Sequence, residues 1–187
     1  MAPPPRSSFL PPLATVLLVM AGLPAWPVPL AEVEEYQVLR AFLGSSLAEK
    51  GPYSLYDHLG IYFIYNVDPQ KTKEIDGFFR QYAGITLESD LVAGFVAANR
   101  IRVHLDPRRF PAGTRFSTQY LKADVYSLSR VGFNVRRDKA LMYASFASLT
   151  EDGHGSLVYL EKRAGAWTVV KGAAVWMYGA SVHPFNP

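Results

Sequence analysis

The sequence predicts an α+β fold in which N-terminal helices pack on a curved antiparallel sheet. Three observations predict it. The stretch from Val125 to Tyr178 alternates short apolar runs with tight polar turns. Strands joined that closely can pair only in antiparallel fashion. Upstream, two segments place apolar residues at helical spacing, each leaving one stripe that needs a sheet to lie on. The chain of 187 residues has 49% hydrophobic and 19% charged residues, the balance of a folded domain. Its aromatic share of 13% predicts a core rich in Tyr and Phe.

The N-terminus reads as an export signal. Arg6 provides the positive end, the stretch from Phe9 to Leu23 is mostly apolar, and small residues follow at Ala25 and Ala31. Residues 1–25 are therefore assigned as a signal peptide, with cleavage as late as 31. An uncleaved N-terminal anchor is the alternative, because neither Ala25 nor Ala31 completes a small-x-small cleavage pattern. The apolar run from Leu13 to Leu23 falls well short of the roughly 20 residues of a spanning helix. The expected mature chain is one α+β domain over residues 32–180 with a tail over 181–187, periplasmic or secreted. With no cysteine in the chain, neither lipid attachment through a thiol nor a disulfide is available.

Ala31–Leu43 is the first predicted helix, with Val33, Tyr36, Leu39, Phe42 and Leu43 on its apolar face and Gly44 ending it. Glu32, Glu34 and Glu35 sit in its first turns, where the helix dipole favours negative charge. Ile61–Tyr65 reads as a strand leaving into a turn. Lys71–Ala83 is amphipathic but weak as a helix. A further helix starts near Thr86, the expected cap, carries Leu87, Leu91, Phe95 and Ala98 on one side, and closes at Asn99.

The predicted sheet follows. Tyr126–Phe133 is one strand, and Asn134–Lys139 a polar turn. Ala140–Leu149 has apolar residues on both faces, so it is expected at the centre with cover on each side. Thr150–Gly155 is a turn, Ser156–Lys162 a strand, and Ala164-Gly165 a tight turn. Trp167–Tyr178 completes a four-strand meander, with a bulge expected at Gly172.

Charge is uneven along the chain. Residues 32–98 hold ten acids and five bases, a balance of −5, whereas residues 99–187 hold six acids and thirteen bases, a balance of +7. A formal net charge of only +3 does not imply a nucleic-acid partner. The densest basic cluster is Arg100, Arg102, Arg108 and Arg109, with His104 and Arg115 in the same segment. Arginine forks suit planar oxyanions, so the four arginines are the candidate binding residues, for a phosphate, a lipid headgroup or an acidic polymer, and the expected partner is an acidic envelope component or another envelope protein. The bland alternative is a solvated loop that offsets the acidic half.

Candidate chemistry is sparse. His154 stands beside Glu151 and Asp152, but their spacing matches no metal motif, and a polar turn is the simpler reading. Asp57-His58 and Asp124 could form an acid–base dyad in a sheet cavity, although no spacing demands it. Neither Ser127 nor Ser129 lies in a nucleophile elbow. No glycine-rich phosphate loop is present. No catalytic residue, metal or cofactor is expected on these grounds.

Ser129-Arg130-Val131-Gly132-Phe133-Asn134, Lys139–Tyr143, Gly155–Lys162 and Gly165–Val170 together resemble a group of exported bacterial proteins of unknown function. Their shared pattern is close to SRVGFN…ALVYV…GSG…LLEKxxGxWxVV. Members often carry a Cys-Gly pair before the Gly-Ser, where this chain has no cysteine. The hairpin Leu160…Trp167 is also similar to hairpins of cystatin-like and nuclear-transport-factor-2-like domains. That resemblance implies a helix on a curved sheet, and no particular activity. The expected function is a non-catalytic binding or structural domain of the cell envelope. The alternative is a small enzyme using an acid or base between helix and sheet.

Overall fold

A computed structural model describes residues 32–46, 53–59, 72–118, 125–147 and 153–178. The expected signal segment, the strand at Ile61–Tyr65, Asp124, the Glu151-Asp152 pair and the tail at 181–187 lie outside the described residues. The chain is α+β, with helices on a curved and mostly antiparallel sheet. Helix α1 spans Val33–Ser46, α2 spans Thr72–Ala83 and α3 spans Ser89–Ala98. The strands are β1 Ser54–Tyr56, β2 His58–Leu59, β3 Val103–His104, β4 Arg115–Ser117, β5 Val125–Leu128, β6 Gly132–Phe133, β7 Lys139–Ala147, β8 Gly153–Arg163 and β9 Ala166–Tyr178. The main sheet runs β4-β1-β5-β7-β8-β9, with β6 also on β7, while β2 and β3 form a separate ladder.

The meander from β5 to β9 is antiparallel throughout, as its short connections require. Ala164 (φ 49°) and Gly165 (φ 83°) make the two-residue turn between β8 and β9, both in the left-handed region that such a hairpin turn needs. Beyond β5 the pairing changes: β1 lies parallel to β5, and β4 parallel to β1. Parallel neighbours need long connections, and the intervening chain contains both α2 and α3.

The strand expected over Tyr126–Phe133 is interrupted. Leu128 pairs with Ala144 and Gly132 with Leu141, so three residues oppose two. Ser129 resolves this bulge: its backbone N–H donates to Tyr143 O at 2.8 Å, and its Oγ accepts from Tyr143 N at 2.8 Å. The bulge expected at Gly172 is not there, because Gly172 pairs with Val158 in regular register. The register slips instead on either side, between Gly155 and Ser156 and between Tyr159 and Leu160, so Val175 and Val170 are the extra residues. The turn expected at Thr150–Gly155 does not extend to its C-terminal half, since Gly153, His154 and Gly155 belong to β8. Gly155 is required by close approach: a Cβ there would lie 2.2 Å from Tyr143 Oη and 2.3 Å from Trp176 Nε1.

Strand β7 is central and covered on both faces, as its two apolar faces predict. Ala140, Met142 and Ala144 face one core with Tyr36, Leu39, Phe42 and Leu43 of α1. Leu141 and Tyr143 face a second core with Ile75 and Phe79 of α2 and Leu91 and Phe95 of α3. Val33 is the exception on α1, at 56% exposed. The buried stripe is Glu35-Tyr36, Val38-Leu39 and Phe42-Leu43. One turn back from its first pair lies near residue 32, leaving Val33 roughly 100° off the stripe. Thr86 does not cap α3 either. Glu88 holds the cap position without a side-chain cap bond, because its carboxylate is engaged by Asn134 and Lys139. Asn99 closes the helix as expected, and its amide ties α3 to the Arg130 backbone in both directions at 2.9 and 3.0 Å.

Candidate functional site

Strand β1 leaves the main sheet at Asp57, and two backbone bonds hold the corner. Asp57 N donates to Ser117 O at 3.1 Å, and Leu105 N donates to Asp57 O at 2.9 Å. Strand β2 then pairs antiparallel with β3, setting His58 opposite His104 and Leu59 opposite Val103. Leu59 and Val103 are fully buried in the α1-side core. Strand alternation therefore turns both histidines to the other face, where they are half-buried. The β3 strand is anchored from outside as well, since Asp106 N donates to Tyr36 Oη at 2.6 Å.

Asp57, His58 and His104 consequently converge. Asp57 Oδ1 lies 2.6 Å from His58 Nδ1, and His58 Nε2 lies 3.0 Å from His104 Nε2. The rings are 3.7 Å apart between centroids and inclined at 46°. Tyr56 adds a third ring 5.7 Å from that of His58. A carboxylate only accepts, so His58 Nδ1 is the donor in that bond. In the neutral ring this leaves Nε2 as an acceptor, 3.0 Å from His104 Nε2.

As the rings stand, His104 donates its Nε2 proton to His58; turning the two rings apart from their 3.7 Å centroid separation would bring both lone pairs onto one cation. Ligand atoms of the three residues all lie within 4.8 Å of one another, the span of a metal-ligand cluster. Two nitrogens bound tetrahedrally to zinc at 2.0–2.1 Å stand roughly 3.3 Å apart, a few tenths of an ångström from the separation seen. Metal-binding histidines almost always donate their second N–H to a carboxylate or carbonyl, and Asp57 occupies that position.

Of the acid–base group expected from the sequence, Asp57 and His58 are brought together, while Asp124 lies outside the described residues. The third member is His104, which the sequence places 46 residues from His58 inside the arginine-rich segment. His154 joins no such cluster among the described residues, since it sits in β8 opposite Phe146 and Met177, its ring 5.9 Å from that of Phe146. Arg100, Arg102, Arg108 and Arg109 are all exposed around β3 and the 3-10 turn Pro107–Arg109. Arg108 is held by Asp106 through two bonds of 2.9 Å, which keep the Asp106 carboxyl below its ordinary range.

A cleft of about 310 Å³ opens between α1, α3 and β6, lined by Glu32, Glu35, Arg130 and Arg137. Its deepest acid, Glu35, is 1% exposed and fully committed. Glu35 accepts from Arg130 Nε and Nη2 and from the backbone N–H groups of Val131 and Glu32, at 2.8–3.1 Å. That arrangement ties α1 to the bulge and supplies no group for chemistry.

Comparison of the chain with protein-family models, with curated proteins and with solved structures finds no match. Among the described residues, no helix is long and apolar enough to cross a membrane.

Proposed function

We propose that this chain is a binding module of an exported protein, and that its ligand is a divalent transition-metal ion held by His58 and His104 with Asp57 behind them. One observation carries the reading: two imidazole Nε2 atoms lie 3.0 Å apart, and the far nitrogen of one is held by a carboxylate. Imidazole and carboxylate donors of this kind suit zinc and its neighbours in the first transition row. The apolar leader and the C-terminal resemblance to exported proteins support the compartment.

Isothermal titration of the chain with zinc chloride tests the proposal. One ion should bind per chain, and His58→Ala and His104→Ala should each abolish binding while far-ultraviolet circular dichroism stays native. Absence of binding, or binding that both variants retain, overturns it.

The 2.6 Å bond between Asp57 and His58 also favours a second reading, a general acid–base enzyme. The metal reading is preferred because His58 Nε2 lies 3.0 Å from the nitrogen of a second imidazole.

A further inference from the structure

We infer that the ion binds an oxyanion, a phosphate or carboxylate group, from its open side, and that the Arg102 guanidinium grips the same group. The inference rests on the metal reading above and names what that site recognises. The chain offers the ion two imidazole nitrogens and at most one carboxylate oxygen from this cluster. Tetrahedral zinc therefore keeps at least one position for an outside ligand. The charge of the surroundings selects its sign. Two neutral imidazoles and one carboxylate leave a divalent ion with net positive charge. The segment 100–118 adds five arginines against the single acid Asp106.

Arg102 is singled out by position. Burial alternates along the segment: Val103 and Leu105 point into the core, whereas Arg102, His104 and Asp106 do not. That alternation sets Arg102, just ahead of β3, on the same solvent-facing side as His104, and its long side chain has the reach to meet a ligand on the ion. Arg108 lies beyond this alternating stretch, in the 3-10 turn, with its guanidinium on Asp106. A guanidinium beside a metal suits an oxyanion, because its planar fork takes two oxygens while the ion takes another.

Cobalt(II) in place of zinc supplies a visible spectrum that reports ligand exchange at the ion. The full chain is loaded with cobalt and titrated with methylphosphonate and, separately, with acetate. At least one probe should shift the spectrum, and the tighter of the two identifies the group recognised. Arg102→Met should weaken that probe about tenfold or more, the worth of one hydrogen bond to a charged group. Its cobalt affinity should be unchanged, and Arg108→Met should bind the probe like the parent chain. If cobalt binds but neither probe shifts the spectrum, or Arg102→Met binds the probe as tightly as the parent, the oxyanion inference is overturned and the metal reading stands. If cobalt and zinc both fail to bind, both readings fall.

Discussion

Arg130 meets Glu35 through two parallel bonds, Nε to Oε1 at 3.1 Å and Nη2 to Oε2 at 2.8 Å, across 95 residues of sequence. The pair couples the first turn of α1 to the bulge between β5 and β6. Glu35 also completes half a capping box, accepting the Glu32 backbone N–H at 3.0 Å. Breaking a buried pair leaves the surviving charge uncompensated. Glu35→Ala is expected to cost about 3–5 kcal/mol, and Glu35→Ala with Arg130→Met less than the two single changes together. Urea denaturation of the single and double variants measures this, and strict additivity would show that the pair is not coupled.

Helix α3 approaches the sheet so closely that two glycines are obligatory. A Cβ on Gly132 would lie 2.1 Å from Phe95 Cα, and one on Gly94 would lie 2.3 Å from Phe133 O. Both obstacles are backbone, so the helix itself would have to move. Gly132→Ala and Gly94→Ala are each expected to destabilise at or beyond the upper end of the roughly 1–3 kcal/mol typical of overpacking. Gly44 is the internal control, since nothing lies within 4 Å of its Cβ position inside α1. Gly44→Ala should raise stability by about 0.5–1 kcal/mol through helix propensity. Thermal melts that rank the three variants otherwise would contradict the close approach.

The Glu88 carboxyl sits below its ordinary value of 4.5, held there first by the Lys139 ammonium and then by the Asn134 amide. A depressed folded-state value means that the ionised form is favoured by folding. Its contribution is present above about pH 4.5 and is lost as pH falls through the folded value. The stability gap between the parent chain and Glu88→Gln should therefore be open at pH 7 and narrow in acid. Denaturant midpoints at pH 7, 4 and 3 test this, and a gap that widens in acid would reverse the sign.

Asp57 is assigned to orient His58 rather than to bind the ion first. Asp57→Asn keeps the shape and removes the charge, so zinc affinity should fall roughly 10–100-fold, the usual effect of losing such a partner. His58→Ala should remove binding altogether. Calorimetry on the two variants separates the roles, and equal loss in both would make Asp57 a full ligand.

Much of the sheet is legible in the chain because its information is local. Apolar residues on both faces of Ala140–Leu149 announce a strand covered on each side, and Ala164-Gly165 announces the turn between β8 and β9. Glycines are read less well, since Gly155 signals a turn by composition but is there to admit Tyr143 and Trp176. Bulge positions were also out of reach: Gly172 looks permissive, yet the slips fall at Val170 and Val175, where cross-strand register decides. The candidate site was half legible. Asp57-His58 is a visible pair, whereas His104 is masked by the arginines around it.

By itself, the sequence determined the helices, the strand order of the meander and the apolar faces, because periodicity and turn chemistry act over a few residues. Only the tertiary structure decided that β1 and β4 join in parallel, that Glu35 would be buried against Arg130, and that β2 would lie against β3. Those outcomes depend on contacts between distant segments, which leave no period in the chain. The meeting of His58 with His104 belongs to that second group. It follows from one backbone register, held by Leu59 and Val103 in the core beneath.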